Sequence, residues 1–265
     1  MEMRMFQNTW HGIDLTQLPA AATAQDKPAG AEFYAQFYQA LSAGRGHIDP
    51  QWLESKCQLG EAIERDLIAP WKQKHGRSPR ILALGAGKAP VERVWHEHGH
   101  AVTFHDCQED SLADVRRLHP QANFLIGDIF KLEPDTRYDL VTMITIDYVM
   151  NRREFAAFLS HAARWLDSGG QIVVYCASTL SFRQATVEIA KHCLGVYRRK
   201  PHVFWGYWRT PGEFFKVARL AELHLDGIYS VTGGTAGGLC LKKSGWLGRI
   251  PSWRNPHLAA TYEMK

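Results

Sequence analysis

The chain has no long apolar run and little cysteine. None of its 265 residues belongs to an unbroken stretch of roughly 18 apolar residues, which is the length that a membrane-spanning helix needs. The first residues, Met1 to Phe6, show no continuous apolar core like that of a signal peptide. Its five cysteines are odd in number, widely spread and without a C-x-x-C pair. These absences predict a cytoplasmic protein with reduced cysteines and no membrane span.

An excess of one charge sign is also missing. The formal net charge of +4 is mild, so it gives little support to a nucleic-acid partner while leaving room for an anionic small substrate. The composition, 45% hydrophobic and 22% charged, is that of an ordinary globular protein, and the length suits one large domain with additions. A homodimer is left open.

Four histidines, His96, His98, His100 and His105, lie close together in the sequence. They fall on a predicted helix and on the turn and strand that follow it, and no carboxylates accompany them at ligand spacing. We therefore predict no metal site.

Strands and helices alternate through the middle of the chain. Short apolar runs at 81–84, 101–104, 123–126, 138–146 and 171–175 are separated by segments with helical spacing. This alternation is typical of a parallel sheet with helices on both faces. A helix beginning at Thr210-Pro211 follows, and then two strands at 225–231 and 238–242, which we expect to add an antiparallel pair.

The flanking segments differ in character. Residues 1–31 are predicted to be a flexible N-terminal segment and 32–75 a helical extension, with Asp49-Pro50 starting its second helix. Residues 76–243 form the main domain, and 244–265 are a tail without a usable period. Within the main domain, 178–209 is rich in aromatic and basic residues.

The most informative motif is the turn Gly85-Ala86-Gly87 after an apolar strand. Asp106 ends the next strand 21 positions after Gly85, close to the roughly 20 expected when a carboxylate reaches a ribose. Glycine lets the backbone approach a ligand closely. The motif predicts a nucleoside-containing cofactor. A dinucleotide is disfavoured, because Pro90 stands where the third small residue would be and only one such unit is present.

Four motifs in order resemble those of the class I S-adenosylmethionine-dependent methyltransferases. They are 83–87, Asp106, 127–129 (Gly-Asp-Ile), and 166–170 (Leu-Asp-Ser-Gly-Gly) before a strand, and the resemblance covers roughly 76–243. It implies an α/β fold, a Rossmann-like three-layer sandwich whose seven-stranded, mostly parallel sheet has an antiparallel last strand. In this family, insertions after the fifth strand often cover the acceptor of the transferred group, so 178–209 is expected to be a lid insertion, in addition to the N-terminal helical extension at 32–75.

By this resemblance the cofactor is S-adenosylmethionine and the product S-adenosylhomocysteine. Gly85 and Gly87 would line the methionine part, Asp106 would hold the ribose hydroxyls, and Asp128 would accept from the adenine amino group, with Ile129 against the ring. The implied cofactor site also includes Ala86, Cys107 and Thr145. Two alternatives stay open: Asp106 as a cap of the next helix, and Asp128 as a turn residue.

Two positions depart from the family pattern. Ala83 stands where an acid is usual, and Ala89 replaces the third glycine. Two alternatives stay open: the methionine end of the cofactor is bound differently, with Lys88 or another group at its carboxylate, or the cofactor site is weakened or lost.

Two places are candidates for the acceptor site. Asp147 and Tyr148 follow the fourth strand, where acceptors bind at strand carboxyl ends, so Asp147 is a candidate base and Tyr148 a pocket wall. The lid supplies His202 as a second candidate base and four candidate substrate-binding residues: Arg183, Tyr197, Trp205 and Tyr207. Helix capping is the alternative for Asp147, and packing or a solvated turn is the alternative for the lid residues.

The sequence thus predicts methyl transfer to a small-molecule acceptor, anionic or sugar-like, with O-methylation favoured over N-methylation. A nucleic-acid methyltransferase and a non-catalytic methyltransferase-like scaffold are the alternatives.

Overall fold

The computed structural model describes residues 2–22, 28–133, 135–177, 182–196, 202–234, 238–243 and 258–264. No helix in these ranges is both long enough and apolar enough to cross a membrane.

The central sheet is built from parallel strands in the middle of the chain. Its strands are β4 (Arg80–Leu84), β5 (Ala101–Asp106), β6 (Asn123–Ile126), β7 (Tyr138–Ile144) and β8 (Leu166–Cys176), and they lie in the order β6-β5-β4-β7-β8. Every residue of β7 is buried, as expected for a parallel strand covered on both faces. The helices between the strands are α4 (Glu92–Glu97), α5 (Ala113–Leu118) and α6 (Arg152–Ala163).

The C-terminal part completes the sheet. It comprises α7 (Phe182–Cys193), β9 (Val203–Tyr207), α8 (Pro211–Leu220), β10 (Leu223–Gly234), β11 (Gly238–Lys243) and β12 (Leu258–Met264). Strand β12 lies between β8 and β10 and is antiparallel to both. The seven strands from β6 to β10 in this order form the predicted mostly parallel sheet with an antiparallel last strand, and β11 adds an eighth strand at the edge.

The last strand of the sheet comes from the segment predicted to be a tail. Ala260, Thr261 and Tyr262 of β12 are all buried, because the strand is covered on both faces. A strand buried on both faces shows no apolar-polar alternation. Its sequence therefore carried no usable period, and residues 258–264 of the predicted tail form a strand of the sheet.

The N-terminal part of the chain, before β4, contains three short strands and three α-helices. Its elements are β1 (Arg4–Gln7), β2 (Thr9–Trp10), β3 (Ile13–Asp14), α1 (Ala31–Ser42), α2 (Pro50–Ile63) and α3 (Ala69–His75), with π-helical residues Glu64–Ile68 joining the last two. The Asp49 side chain caps α2 by accepting from the Gln51 amide at 2.9 Å.

The described residues at the start of the chain are held in place rather than flexible. Strand β1 pairs with β9, and the Ala29 amide donates to the Phe204 carbonyl oxygen at 3.0 Å. Leu15 is fully buried in a cluster that contains Phe33 and Phe37 of α1 and Trp205 of β9. The prediction of a flexible segment at 1–31 therefore fails for these residues, since their apolar side chains are buried against the predicted lid.

Two further clusters fill the two faces of the sheet. Helices α6 and α8 pack on one face, and α2, α4 and α5 contribute to the cluster on the other. Because β4, β5 and β7 are parallel, their carboxyl ends meet at one edge, and α1 lies over this edge.

Candidate functional site

The glycine turn after β4 has left-handed backbone conformations. Gly85 has φ +62° and Gly87 has φ +55°. A Cβ atom at Gly85 would lie 2.9 Å from Cγ2 of Ile146, and one at Gly87 would lie 2.9 Å from the Tyr38 hydroxyl. Ala89 also adopts a positive φ, +49°, at the position where the resembled family has its third glycine. The left-handed backbone conformation is therefore also adopted at the position where alanine replaces glycine.

Asp106 meets the glycine turn directly. Its Oδ2 accepts the Gly87 amide at 2.9 Å, and its Oδ1 accepts the Gln108 amide at 3.0 Å. Each carboxylate oxygen keeps a further lone pair. The Gln108 contact corresponds to the capping alternative, and the Gly87 contact brings together the two parts of the predicted cofactor site. The Ala86 amide donates to the His105 carbonyl oxygen at 2.9 Å, which fixes the turn against β5.

His105 links the ends of three neighbouring strands, a role that the sequence did not reveal. Its Nε2 lies 2.9 Å from the Gly127 carbonyl oxygen after β6, and its Nδ1 lies 3.5 Å from the Gly85 amide after β4. Nε2 must then carry the proton, with Nδ1 as the acceptor. Burial lowers the pKa of His105, opposed by the Gly127 hydrogen bond and the Asp106 and Asp128 charges. The neutral ring therefore positions both cofactor-side turns.

The residues predicted to lie beside the adenine and the ribose have different surroundings in the structure. Asp128 is exposed, and its Oδ1 accepts the Phe130 amide at 3.0 Å, which is the turn role left open above. Ile129 is buried in the core beneath α6, and its place against an adenine ring stays a prediction. Desolvation, aided by the charge of Asp106, raises the pKa of the Cys107 thiol to about 11. Cys107 is thus a neutral neighbour of Asp106.

Thr145, after β7, is a backbone outlier. It has φ +58°, which is costly for a β-branched residue, and its amide donates to the Tyr175 carbonyl oxygen at 2.9 Å. The strained residue lies at the carboxyl end of the sheet, beside Ile146 and Asp147. Such strain is concentrated at functional sites, so Thr145 stays a candidate.

Asp147 is committed to a buried ion pair. Its carboxylate is fully buried, and Oδ2 lies 3.2 Å from Nε of Arg209, itself 1% exposed. Arg209 also donates to the carbonyl oxygens of Asp147 and Met150. Burial raises the pKa of Asp147, and the guanidinium of Arg209 opposes that shift. This arrangement fastens the turn after β7 to the end of β9 and gives the carboxylate no access to an acceptor.

Tyr148 and Trp205, two separate candidates for the acceptor site, lie against each other. Their rings are stacked at 6.0 Å between centroids, with an interplanar angle of 13°. The Tyr148 hydroxyl lies 2.8 Å from the hydroxyl of Tyr34 on α1, a residue that the sequence assigned only to an amphipathic helix. Burial raises the pKa of Tyr148 to about 12 and that of Tyr34 well above its usual value. Both phenols are therefore neutral hydrogen-bonding groups at neutral pH.

The other lid residues are spread more widely. His202 precedes β9, with its ring edge-on to Phe6 at 6.4 Å between centroids. Tyr207 packs edge-on to Phe204 at 5.1 Å, and burial together with Glu154 and Glu2 raises its pKa. Arg183 is exposed on α7. Tyr197 lies outside the described residues.

Ala83 is fully buried among apolar side chains, so nothing polar replaces the missing acid at that position. Lys88 does not point to a free anion site, because its Nζ lies 2.8 Å from Oδ2 of Asp114 and 5.9 Å over the Tyr38 ring.

A second titratable pair lies between α2 and α4. Burial raises the pKa of Glu92 to about 7 and lowers the pKa of Lys56 to about 8.

A cavity of about 360 Å³ opens beside the N-terminal hairpin. Its walls are formed by residues of the β2–β3 turn and the start of α2: Thr9, Trp10, His11, Gly12, His47, Asp49 and Trp52. It contains none of the predicted site residues. The glycine turn and Asp106 meet instead at the carboxyl ends of the parallel strands, and Tyr148 follows the carboxyl end of β7.

Comparison with known proteins gives one family. Residues 81–170 match the family model described as a methyltransferase domain. A search of the curated proteins finds none that matches the chain.

Solved structures support the fold. Magnesium protoporphyrin IX methyltransferase (ChlM) from Synechocystis PCC 6803 with bound SAH is similar at 13% identity and a TM-score of 0.54, over 92% of this chain and 99% of that one. A possible histamine N-methyltransferase from Thermotoga maritima is similar at 12% identity and a TM-score of 0.55, over 86% and 98%. Mitomycin 7-O-methyltransferase MmcR is similar at 13% identity and a TM-score of 0.57, over 95% of this chain, which spans only 62% of that one.

At these identities the structures establish the fold, and the family model establishes the domain within it. Residues 81–170 are thus a methyltransferase domain by the family model, within a fold that the solved structures share.

Proposed function

We propose that the protein transfers a methyl group from S-adenosylmethionine to a small-molecule acceptor, and to oxygen rather than nitrogen. The observation that carries this proposal is the cover over the carboxyl edge of the sheet. Helix α1 and strand β9 lie there with Tyr34, Tyr148 and Trp205 in mutual contact. A site enclosed by aromatic side chains of the same chain suits a small, flat or ring-containing acceptor.

The residues at the glycine turn fit the cofactor. Because Gly87 has no Cβ, the Tyr38 hydroxyl can approach the turn, and Asp106 has oxygens able to accept ribose hydroxyls. Asp128 is exposed, and its Oδ2, which lies 3.7 Å from Nζ of Lys131, is the oxygen proposed to accept from the adenine amino group. When bound, S-adenosylmethionine supplies an electrophilic methyl group. The chain must orient the acceptor atom in line with it and exclude water.

The proposal favours oxygen because of the hydroxyl groups beside Trp205. A pair of neutral phenols both donates and accepts hydrogen bonds, which matches an acceptor hydroxyl or carboxylate. His202 stays the candidate base, and Asp147 is set aside because Arg209 holds it in the core. Trp205 is proposed as an acceptor wall, and Arg183, Tyr197 and Tyr207 stay predictions for an anionic or sugar-like acceptor. The cytoplasmic location and a homodimer also stay predictions.

Calorimetry with S-adenosylmethionine and S-adenosylhomocysteine tests the cofactor first. Wild-type protein should bind both, and Asp106→Ala should bind neither measurably, because the carboxylate and its charge-assisted hydrogen bonds are removed. Glu133→Gln removes an exposed carboxylate that pairs with Arg164, so it is a matched control and should bind normally. Absence of binding by wild-type protein would refute the proposal.

An acceptor panel tests the reaction. Phenols, sugar hydroxyls, carboxylic acids, amines and a short RNA are each incubated with S-adenosylmethionine, and S-adenosylhomocysteine release is measured. Release with oxygen acceptors alone supports O-methylation. Release only with amines, or only with RNA, would overturn the proposed acceptor class. Binding of cofactor without turnover on any acceptor would favour the scaffold alternative.

A further inference from the structure

Helix α1 lies across the predicted cofactor cleft. The spacing of its apolar residues accounts only for the face of the helix that is buried. Phe33, Phe37 and Ala40 are buried in the N-terminal cluster. Tyr34 and Tyr38, one helical turn apart, therefore share another face. That face is turned toward the carboxyl ends of β4, β5 and β7, so two phenol hydroxyls are delivered to the site from outside the methyltransferase motifs.

Tyr38 lies against the glycine turn itself. Its hydroxyl would be 2.9 Å from a Cβ atom at Gly87, so it occupies the space that this glycine leaves open. Burial, then the nearby charge of Asp106, and then Tyr148 and Cys107, raise the pKa of Tyr38. The hydroxyl is therefore a donor beside the acid expected to bind ribose. Among the described residues, it has no hydrogen-bond partner.

Contacts on both sides fix α1 in this position. The Tyr34 hydroxyl is bonded to that of Tyr148 beyond β7, and Lys88 lies over the Tyr38 ring while paired with Asp114 at the start of α5. The helix also packs against the turn at Glu109–Leu112, just beyond β5. Helix α1 thus touches the chain beyond each of the strands that frame the cleft.

We propose that α1 is the cap of the cofactor cleft and that Tyr38 is a cofactor-binding residue, its hydroxyl donating to the S-adenosyl group at the Gly87 turn. This inference rests on the proposed function, because it requires S-adenosylmethionine as the ligand. Tyr34 serves the acceptor side of the same cap through Tyr148. Tyr34 and Tyr38, four residues apart on α1, therefore serve the acceptor side and the cofactor side of the cleft, respectively.

Tyr38→Phe tests the inference, with Tyr34→Phe as the matched control on the same helix. Loss of one neutral hydrogen bond is worth about 0.5–1.5 kcal/mol, so Tyr38→Phe should weaken S-adenosylhomocysteine binding about two- to twelvefold by calorimetry. Tyr34→Phe should leave that affinity within about twofold. Far-ultraviolet circular dichroism and thermal unfolding confirm that both variants are folded.

Hydrogen exchange gives a readout independent of turnover. S-adenosylhomocysteine should slow amide exchange in 31–42 of the wild-type protein, because ligand contact holds the cap closed. Unchanged or tighter binding by Tyr38→Phe would overturn the role of Tyr38, since the hydroxyl would then only fill the cleft. Unchanged exchange in 31–42 would overturn the cap. Failure of wild-type protein to bind the ligand would refute the cofactor itself, and with it both proposals.

Discussion

Replacing Asp147 by asparagine should destabilise the protein rather than remove a catalytic base. The carboxylate is fully buried and lies 3.2 Å from Nε of Arg209, a side chain that is 1% exposed. Asparagine has nearly the same shape, so the substitution removes charge without creating a cavity. It leaves the guanidinium buried and uncompensated, which typically costs about 3–5 kcal/mol.

The assay is thermal and denaturant unfolding. For a chain of this size, each kcal/mol lowers the melting temperature by about 2–4 °C, so Asp147→Asn should lower it by about 6–20 °C. Glu133→Gln, which breaks an exposed pair with Arg164, is the charge-matched control and should change stability by less than about 1 kcal/mol.

A double-mutant cycle makes the prediction specific to the pair. Arg209→Met alone should also be strongly destabilised, because it leaves the Asp147 carboxylate buried without its partner. The double variant Asp147→Asn/Arg209→Met should lose less stability than the sum of the single variants, since neither charge then stays behind. An Asp147→Asn protein with wild-type melting temperature but no turnover would refute this reasoning and restore Asp147 as the base.

Two further predictions concern His105 and Gly206. The folded pKa of His105 is lowered from 6.5, so the unfolded chain binds this proton more readily. Stability should therefore fall as the pH drops through about 6.5 toward the folded pKa, and His105→Ala should show a shallower fall between pH 7.5 and 5.5. Equal slopes by denaturant unfolding would contradict this. In Gly206→Ala the new Cβ would lie 2.3 Å from the Tyr148 carbonyl oxygen, so unfolding should show a loss of about 1–3 kcal/mol. Gly212→Ala has no heavy atom within 4 Å of its new Cβ and should cause no such loss; similar losses in both variants would count against the proposed contact.

The local sequence pattern was sufficient to predict the parallel strands of the sheet. The strand predicted at 123–126 has the same bounds in the structure. The strand predicted at 101–104 is two residues longer and ends at Asp106. These strands are short and apolar, and glycine or helical segments lie between them. Their period and their boundaries can therefore be predicted from neighbouring residues. The pairing of Gly87 with Asp106 follows from the same logic, because parallel neighbours end at the same edge.

Contacts between distant segments had no such local signal. Tyr34 meets Tyr148 across 114 positions, and Asp147 meets Arg209 across 62. In the sequence Asp147 is simply a carboxylate after a strand, which is what a catalytic base also looks like. Burial and an opposite charge decide between the two roles, and both depend on where β9 packs.

The sequence by itself determined the family motifs, the parallel strands and the glycine turn, because each depends on residues within one βα unit. Only the tertiary structure placed 258–264 inside the sheet, laid α1 across the carboxyl edge, and turned Asp147 inward to Arg209. Those outcomes depend on which apolar surfaces are left uncovered once the sheet has formed, and a single segment does not encode them.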